Sequence, residues 1–378
     1  YPHVDWAQDR VLSFSHFKEE QEDRDYRIAV KFAIESLNRK TKESDIHVVG
    51  DLWVVNTRKL NWPAQAWDDM SEEWEYYKSM PEVPLAYLNK KMGTKFPIMR
   101  ADVFVKDCWK PAWYEQFMQL PENRGKLWEQ LGLRSDWIEY AYLGITEESD
   151  VAHHGRKFAR TSTPSDKGAY AVWVSMGYED TRGDSDCSKY PLNLNCDYNE
   201  IVFELPNGLD GYYMNAGGNE NANMDTAATA KKATSMDMDG KNWGIIKNLP
   251  TRVATDFNTG GNIVLGNSCI SCHLNGTKSL KGKLASLDSL DFSTAKWSMT
   301  KVRRHFQEDR MVQKSAEDSS RWQQSLKRLT GVEAEEVAKA WRRVQSEFDQ
   351  PVRLLVAARD FGVSADYLRS KLTEQPRI

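Results

Sequence analysis

Apolar residues recur along this chain with two different periods, and the change between them organises the sequence. Over residues 5–38, Phe14, Phe17, Ile28, Val30, Phe32, Ala33 and Leu37 return near helical spacing with charged residues between them, which predicts a helix. Residues 46–55 (IHVVGDLWVV) predict two strands around a Gly-Asp turn. A Trp- and Glu-rich stretch over 67–78 predicts a helix, 96–105 another strand, and 112–119 and 123–131 two short helices. The middle of the chain turns to strand patterning at 169–174. It continues as a hairpin in which 200–205 and 211–214 flank Pro206-Asn207-Gly208. Residues 217–242 are small and polar without period and predict an irregular segment. From about 262 the period is helical to the end, over 294–308, 319–329, 332–348 and 351–361. Ser364 then caps a last helix.

This patterning predicts an α+β protein. A mixed α/β part with antiparallel hairpins over 1–255 precedes an all-helical part over 256–378, with the boundary near 251–262. A chain of 378 residues has the length for two such units. Its aromatic content of 11%, with 14 Trp, favours packed cores over disorder. A net charge of −4 supplies no basic stripe, so nucleic acid is not an expected partner. The longest apolar runs, such as 354–358, are core-sized, and no transmembrane segment is expected. No charged start followed by an apolar run opens the chain. Its first residue is Tyr1 rather than Met, and the expectation is a processed form of an exported, periplasmic protein.

Five cysteines change the picture. Cys269-Ile270-Ser271-Cys272-His273 is a CxxCH motif, the spacing of c-type haem attachment. On a helix, positions i and i+3 lie one turn apart on one face, so two thiols there can each add to one vinyl group of the same haem. The His that follows projects toward the iron as an axial ligand. A zinc site would need a second Cys or His pair at ligand spacing, and none is present. A thioredoxin-like CxxC would sit in a βαβ context, whereas this one lies between a Gly/Asn-rich loop and helices. Cys187 and Cys196 bracket a polar loop and are candidates for a disulfide, which an oxidising compartment permits. Cys108 is expected to be a buried thiol.

The sixth iron ligand stays open at this level among Met311, Met299 and His305, a group from the N-terminal part, or none. His153 and His154, with Arg156, are the residues to suspect of distal catalysis; as adjacent residues, only one of the two His could face an iron. Arg156, Arg160, Arg303 and Arg304 are candidates to pair with a haem propionate, against the alternative of solvated surface charges. Residues 235–240 (SMDMDG) resemble part of a calcium loop but lack its first Asp and its closing Glu, and read as a turn.

These residues resemble a family of large, exported bacterial cytochrome c-like proteins with a single CxxCH. The resemblance rests on the early helix at 27–38, 100–105 (RADVFV), 119–121 (QLP), 168–170 (GAY), the hairpin 200–209 and 267–273 (NSCISCH). It implies one covalent haem c and an exported location, and supplies no reaction. One departure stands out: where the family pattern has a His shortly before the strand at Gly168, this chain reads Ala159-Arg160-Thr161. The leading expectation is a one-electron transfer protein that docks a redox partner protein. The alternative is a haem enzyme or small-ligand sensor, peroxidase-like, with an open distal site. A third reading is a binding module that presents Trp53, Trp62, Trp67 and Trp74.

Overall fold

The computed structural model describes residues 8–14, 20–73, 98–133, 138–145, 156–161, 171–177, 198–217, 243–245, 248–250, 262–278, 280–282, 300, 308–348, 354, 358 and 363–374. The protein is α+β, as the patterning predicts.

Residues 5–38 are not one helix. Strand β1 (Asp9–Ser13) pairs antiparallel with β3 (Leu52–Asn56) and parallel with β4 (Ile98–Arg100), and helix α1 (Glu20–Ser36) begins only afterwards. Residues 10–12 are too few to show a period, and partners distant in sequence decide their state. Strand β2 (Ile46–Val49) joins β3 through Gly50 at φ 58°, as its Gly-Asp turn predicts, giving the sheet order β2-β3-β1-β4.

Helix α2 (Thr57–Leu60) is capped by Asn56, and α3 (Ala64–Glu72) covers the start of the helix expected over 67–78. Residues 74–78 lie outside the described residues. The strand expected over 96–105 is β4 alone, because the chain turns at Ala101 into helix α4 (Ala101–Asp107). Asp102 in the first turn, held by Arg100, favours that helix start. Helices α5 (Pro111–Phe117) and α6 (Arg124–Leu131) match expectation, the second capped by Asn123, whose side chain accepts from Lys126 N at 2.9 Å.

A seven-stranded antiparallel sheet dominates the middle of the chain. Its strands are β5 (Ile138–Ile145), β6 (Arg156–Thr161), β7 (Val172–Gly177), β8 (Tyr198–Glu204), β9 (Asp210–Gly217), β10 (Trp243–Ile245) and β13 (Lys281–Gly282), in the order β10-β9-β8-β7-β6-β5-β13. Strands β11 (Asn248–Pro250) and β12 (Asn262–Val264) form a separate ribbon. Helices α7 (Asn267–Cys272), α8 (Glu308–Thr330), α9 (Ala334–Phe348) and α10 (Ala365–Glu374) complete the chain. Ser364 caps α10, its hydroxyl accepting from Tyr367 N at 3.1 Å.

The stretch 256–378 is therefore not all-helical: it supplies β12, and its β13 extends the large sheet along β5. Nor do its helices keep a core to themselves. One continuous apolar cluster runs from Leu12 and Phe14 through Trp67, Phe104 and Trp109 to Trp322, Leu326, Trp341 and Val344, across the expected 255/256 division. The reason lies in α1, where 28–30 and 32–36 are all buried, so the helix needs partners on most of its faces. α9, α8 and α4 provide them, and Arg343 of α9 pairs with Asp25 of α1 at 2.7 Å. Trp53, Trp62 and Trp67 are buried in this core and present no binding surface.

The tip of the β8–β9 hairpin is pinned between α1 and α8. Asn207 donates to the Glu35 carbonyl at 2.7 Å, and Arg328 donates to the Asn207 carbonyl at 2.9 Å. Gly208 sits at φ 88° so close to α8 that a Cβ would lie 2.1 Å from Ser325 Oγ. Only glycine accepts both conditions.

Candidate functional site

Cys269, Cys272 and His273 lie on α7 and its C-cap, directly after the β11–β12 ribbon. Gly266 precedes the helix at φ 84°, where a Cβ would meet the Trp109 carbonyl at 2.4 Å and Tyr114 Cγ at 2.8 Å. The helix start is thus pressed onto α5. The Ser268 hydroxyl accepts from Val264 N at 2.8 Å and ties α7 to β12. Ile270 and Leu274, four residues apart, form the buried side. Cys269, Cys272 and His273 occupy the adjacent, partly open side. Both cysteines are thiols outside any disulfide. Burial pushes the Cys269 thiol up to about 12, so it stays protonated at neutral pH.

The His273 ring has its orientation set. Its Nδ1 lies 3.3 Å from the Gly276 carbonyl, which can only accept, so Nδ1 carries the proton and Nε2 keeps the lone pair. Gly276 stands at φ 82° beneath Trp322, where a Cβ would come within 2.8 Å of the indole. Tyr212 of β9 packs on the imidazole, with ring centroids 5.4 Å apart and planes tilted by 42°. Burial, with Lys278 adding to it, holds the His273 pKa at about 4, below its ordinary 6.5. The imidazole is therefore neutral at neutral pH.

Tyr212 is itself held: its backbone N–H donates to Tyr114 Oη at 2.8 Å, closing β9 at a position that β10, paired only at 215–217, does not reach. Among the described residues, the buried atoms Tyr212 Oη, Trp322 Nε1, Trp109 Nε1 and Asp210 Oδ2 near the motif have no hydrogen-bond partner. Behind them runs a buried charged group. Asp318 of α8 accepts from Arg160 Nε and a second guanidinium nitrogen at 2.8 and 2.9 Å and from Trp173 Nε1 at 2.8 Å, and it also pairs with Arg321. Arg321 reaches Glu204 at 3.3 Å.

Several expected residues find their places. Arg160 is neither a solvated surface charge nor free for a propionate, but is buried against Asp318. Met311 is fully buried in a cluster with Ala171, Trp173 and Leu280, and the partly buried Val202 packs against it. Val202 stands opposite Tyr212 across the hairpin, which puts Met311 on the motif's side of the sheet. Arg156 opens β6. His153, His154, Met299, Arg303, Arg304 and His305, both cysteines of the expected Cys187–Cys196 bridge and the 235–240 turn lie outside the described residues. Cys108 is a buried thiol, as expected, and burial raises its pKa well above the ordinary value.

Sequence reasoning missed Tyr212, Tyr114, Asp210, Asp318 and Trp322, whose positions depend on strand register and helix packing. Asn275-Gly276 is a readable turn pair directly after the motif and could have located the carbonyl that holds His273.

Among the described residues no group of three or more His, Cys, Asp and Glu side chains is arranged to hold a metal ion. The protonated Cys269 is also the reverse of a reactive redox cysteine, whose pKa is lowered. Two thiols one helical turn apart, beside a neutral imidazole with Nε2 unprotonated, fit covalent haem attachment. Among the described residues no helix is long and apolar enough to cross a membrane. Comparison with known proteins finds no matching family model, curated protein or solved structure.

Proposed function

We propose that this protein is a monohaem c-type cytochrome that transfers single electrons outside the cytoplasm. The observation that carries this reading is the His273 imidazole, oriented by Gly276 at the end of a helix that presents Cys269 and Cys272 on one side. In this reading the two thiols tether the haem, His273 ligates through Nε2, and Tyr212 limits rotation of the imidazole. Haem c, when bound, supplies a one-electron iron couple. The described part of 256–378 is then the haem-bearing portion, built onto the α+β body, and Met311 is the described candidate for the sixth ligand. The resemblance to large single-CxxCH exported cytochrome c-like proteins agrees with the reading.

The test is expression in a host that matures c-type cytochromes. The chain should carry haem that survives denaturing electrophoresis, and Cys269→Ala with Cys272→Ala should lose it. A wild-type chain without covalent haem would sink the proposal. Visible spectra with carbon monoxide then separate carrier from enzyme. A low-spin spectrum unmoved by carbon monoxide supports the carrier, whereas a high-spin ferric spectrum with carbon monoxide binding on reduction supports an open-site enzyme or sensor.

A further inference from the structure

We propose that Asp210 and Glu204, facing each other across the β8–β9 hairpin, form a proton-binding site that takes up one proton when the neighbouring haem iron is reduced and releases it on oxidation. The inference rests on the haem reading above.

Asp210 and Glu204 are the closing pair of the hairpin ladder, directly opposite in register, so their side chains leave the same face of the sheet. The next pair on that face is Val202 and Tyr212, and Tyr212 packs on His273. Asp210 is 8% exposed and Glu204 9% exposed. Among the described residues Asp210 Oδ2 is buried without a hydrogen-bond partner.

The neighbouring charges do not balance. From α8 come Asp318 and Arg321, from β6 Arg160, from α5 the Tyr114 phenol, and from β9 itself the Tyr212 phenol. Arg160 is buried against Asp318, and Arg321 is shared between Asp318 and Glu204. Among the described residues three carboxyls thus face two guanidiniums, and Asp210 has no ion pair of its own. A buried carboxylate short of a full counter-charge costs more than a buried carboxylic acid, so this group favours binding a proton when any further negative charge arrives nearby. Burial raises both carboxyls above their ordinary range, with Asp318 adding to each and Glu204 adding to Asp210.

Were haem bound through Cys269, Cys272 and His273, an electron supplied to it by an external one-electron donor would lower the local charge by one. In a poorly solvated interior that change is felt by nearby titrating groups. One proton from water then forms an O–H bond on the carboxyl pair, and on oxidation the same bond breaks and the proton returns to solvent. Arg321, with 37% of its side chain exposed and bonded to Glu204, marks where the pair approaches water.

The experiment is spectroelectrochemistry of the full-length haem-loaded protein across pH, with infrared spectra of isotope-labelled aspartate on the same samples. The wild-type midpoint potential should fall as pH rises through the neutral range. The infrared spectrum of the reduced protein should contain an aspartic acid carbonyl band at neutral pH that weakens on oxidation. Asp210→Asn should lose both the slope and the band. Glu204→Gln, a second variant should the first fail to fold, should also lose the slope. A pH-independent wild-type potential, or a slope that persists in the variants, overturns the proposal. If the chain takes up no covalent haem, the haem reading fails first and the coupling with it. The band in the haem-free protein then decides separately whether the pair holds a proton.

Discussion

Gly276 shows how a residue without a side chain can set the chemistry of its neighbour. Its carbonyl fixes the His273 tautomer, and Trp322 leaves no room for a Cβ. A Gly276→Ala variant must place alanine at φ 82°, a cost of about 1–2 kcal/mol, and must also displace the indole. We expect denaturant unfolding to show a loss of roughly 2–4 kcal/mol once the overpacking is added. If the chain carries haem as proposed, a change in its axial-ligand bands should accompany the loss. A variant as stable as wild type with unchanged bands would show that the carbonyl does not position the ring. At this scale the motif was legible, because the proposed haem attachment would demand residue types at a fixed local spacing. Tyr212 was not legible: nothing within its own segment distinguishes a tyrosine that meets His273 from one that meets solvent.

At the scale of elements, the clearest device is Asp318, which binds α8 to β6 through Arg160 and to β7 through Trp173. Removing one partner of a buried ion pair leaves an uncompensated charge, typically costing about 3–5 kcal/mol. Asp318→Ala should lose that much stability by chemical denaturation. Asp318→Leu combined with Arg160→Met should recover most of it. Equal losses in the single and double variants would mean that the pair does not brace the helix. The patterning located the β2–β3 and β8–β9 hairpins and most helices, since their turns and periods are local. It misassigned 5–38 and 96–105, where a few residues join or leave a sheet according to partners far away in the chain.

At the scale of the whole molecule, α1 is enclosed by helices from the other end of the chain. Fragments 1–255 and 256–378, made separately, should each lack a cooperative unfolding transition and bind hydrophobic dyes. Two independently cooperative fragments would show that the shared core is dispensable. Stability should also fall toward both ends of the pH scale, for opposite reasons. Burial alone would raise the fully buried Glu35 carboxyl, but Lys31 and Ser44 outweigh it and hold it below its ordinary 4.5. The unfolded chain therefore binds the Glu35 proton more readily, and its contribution is lost as pH drops below that value. Asp210 is shifted upward, so the folded state holds that proton more tightly, and its contribution is lost as pH rises through the folded value. Glu35→Gln should weaken the acid-side dependence of unfolding free energy, and Asp210→Asn the alkaline side.

The amino-acid sequence alone determined the α+β class, the two hairpins and the CxxCH motif, each written in contacts between residues a few positions apart. Tertiary structure decided what surrounds that motif. It brought Tyr212 from β9, Trp322 and Asp318 from α8 and Tyr114 from α5 around one short helix, and joined both ends of the chain in one core. Those contacts follow from strand register and helix packing, which depend on burying apolar faces over the whole chain at once and leave no local trace.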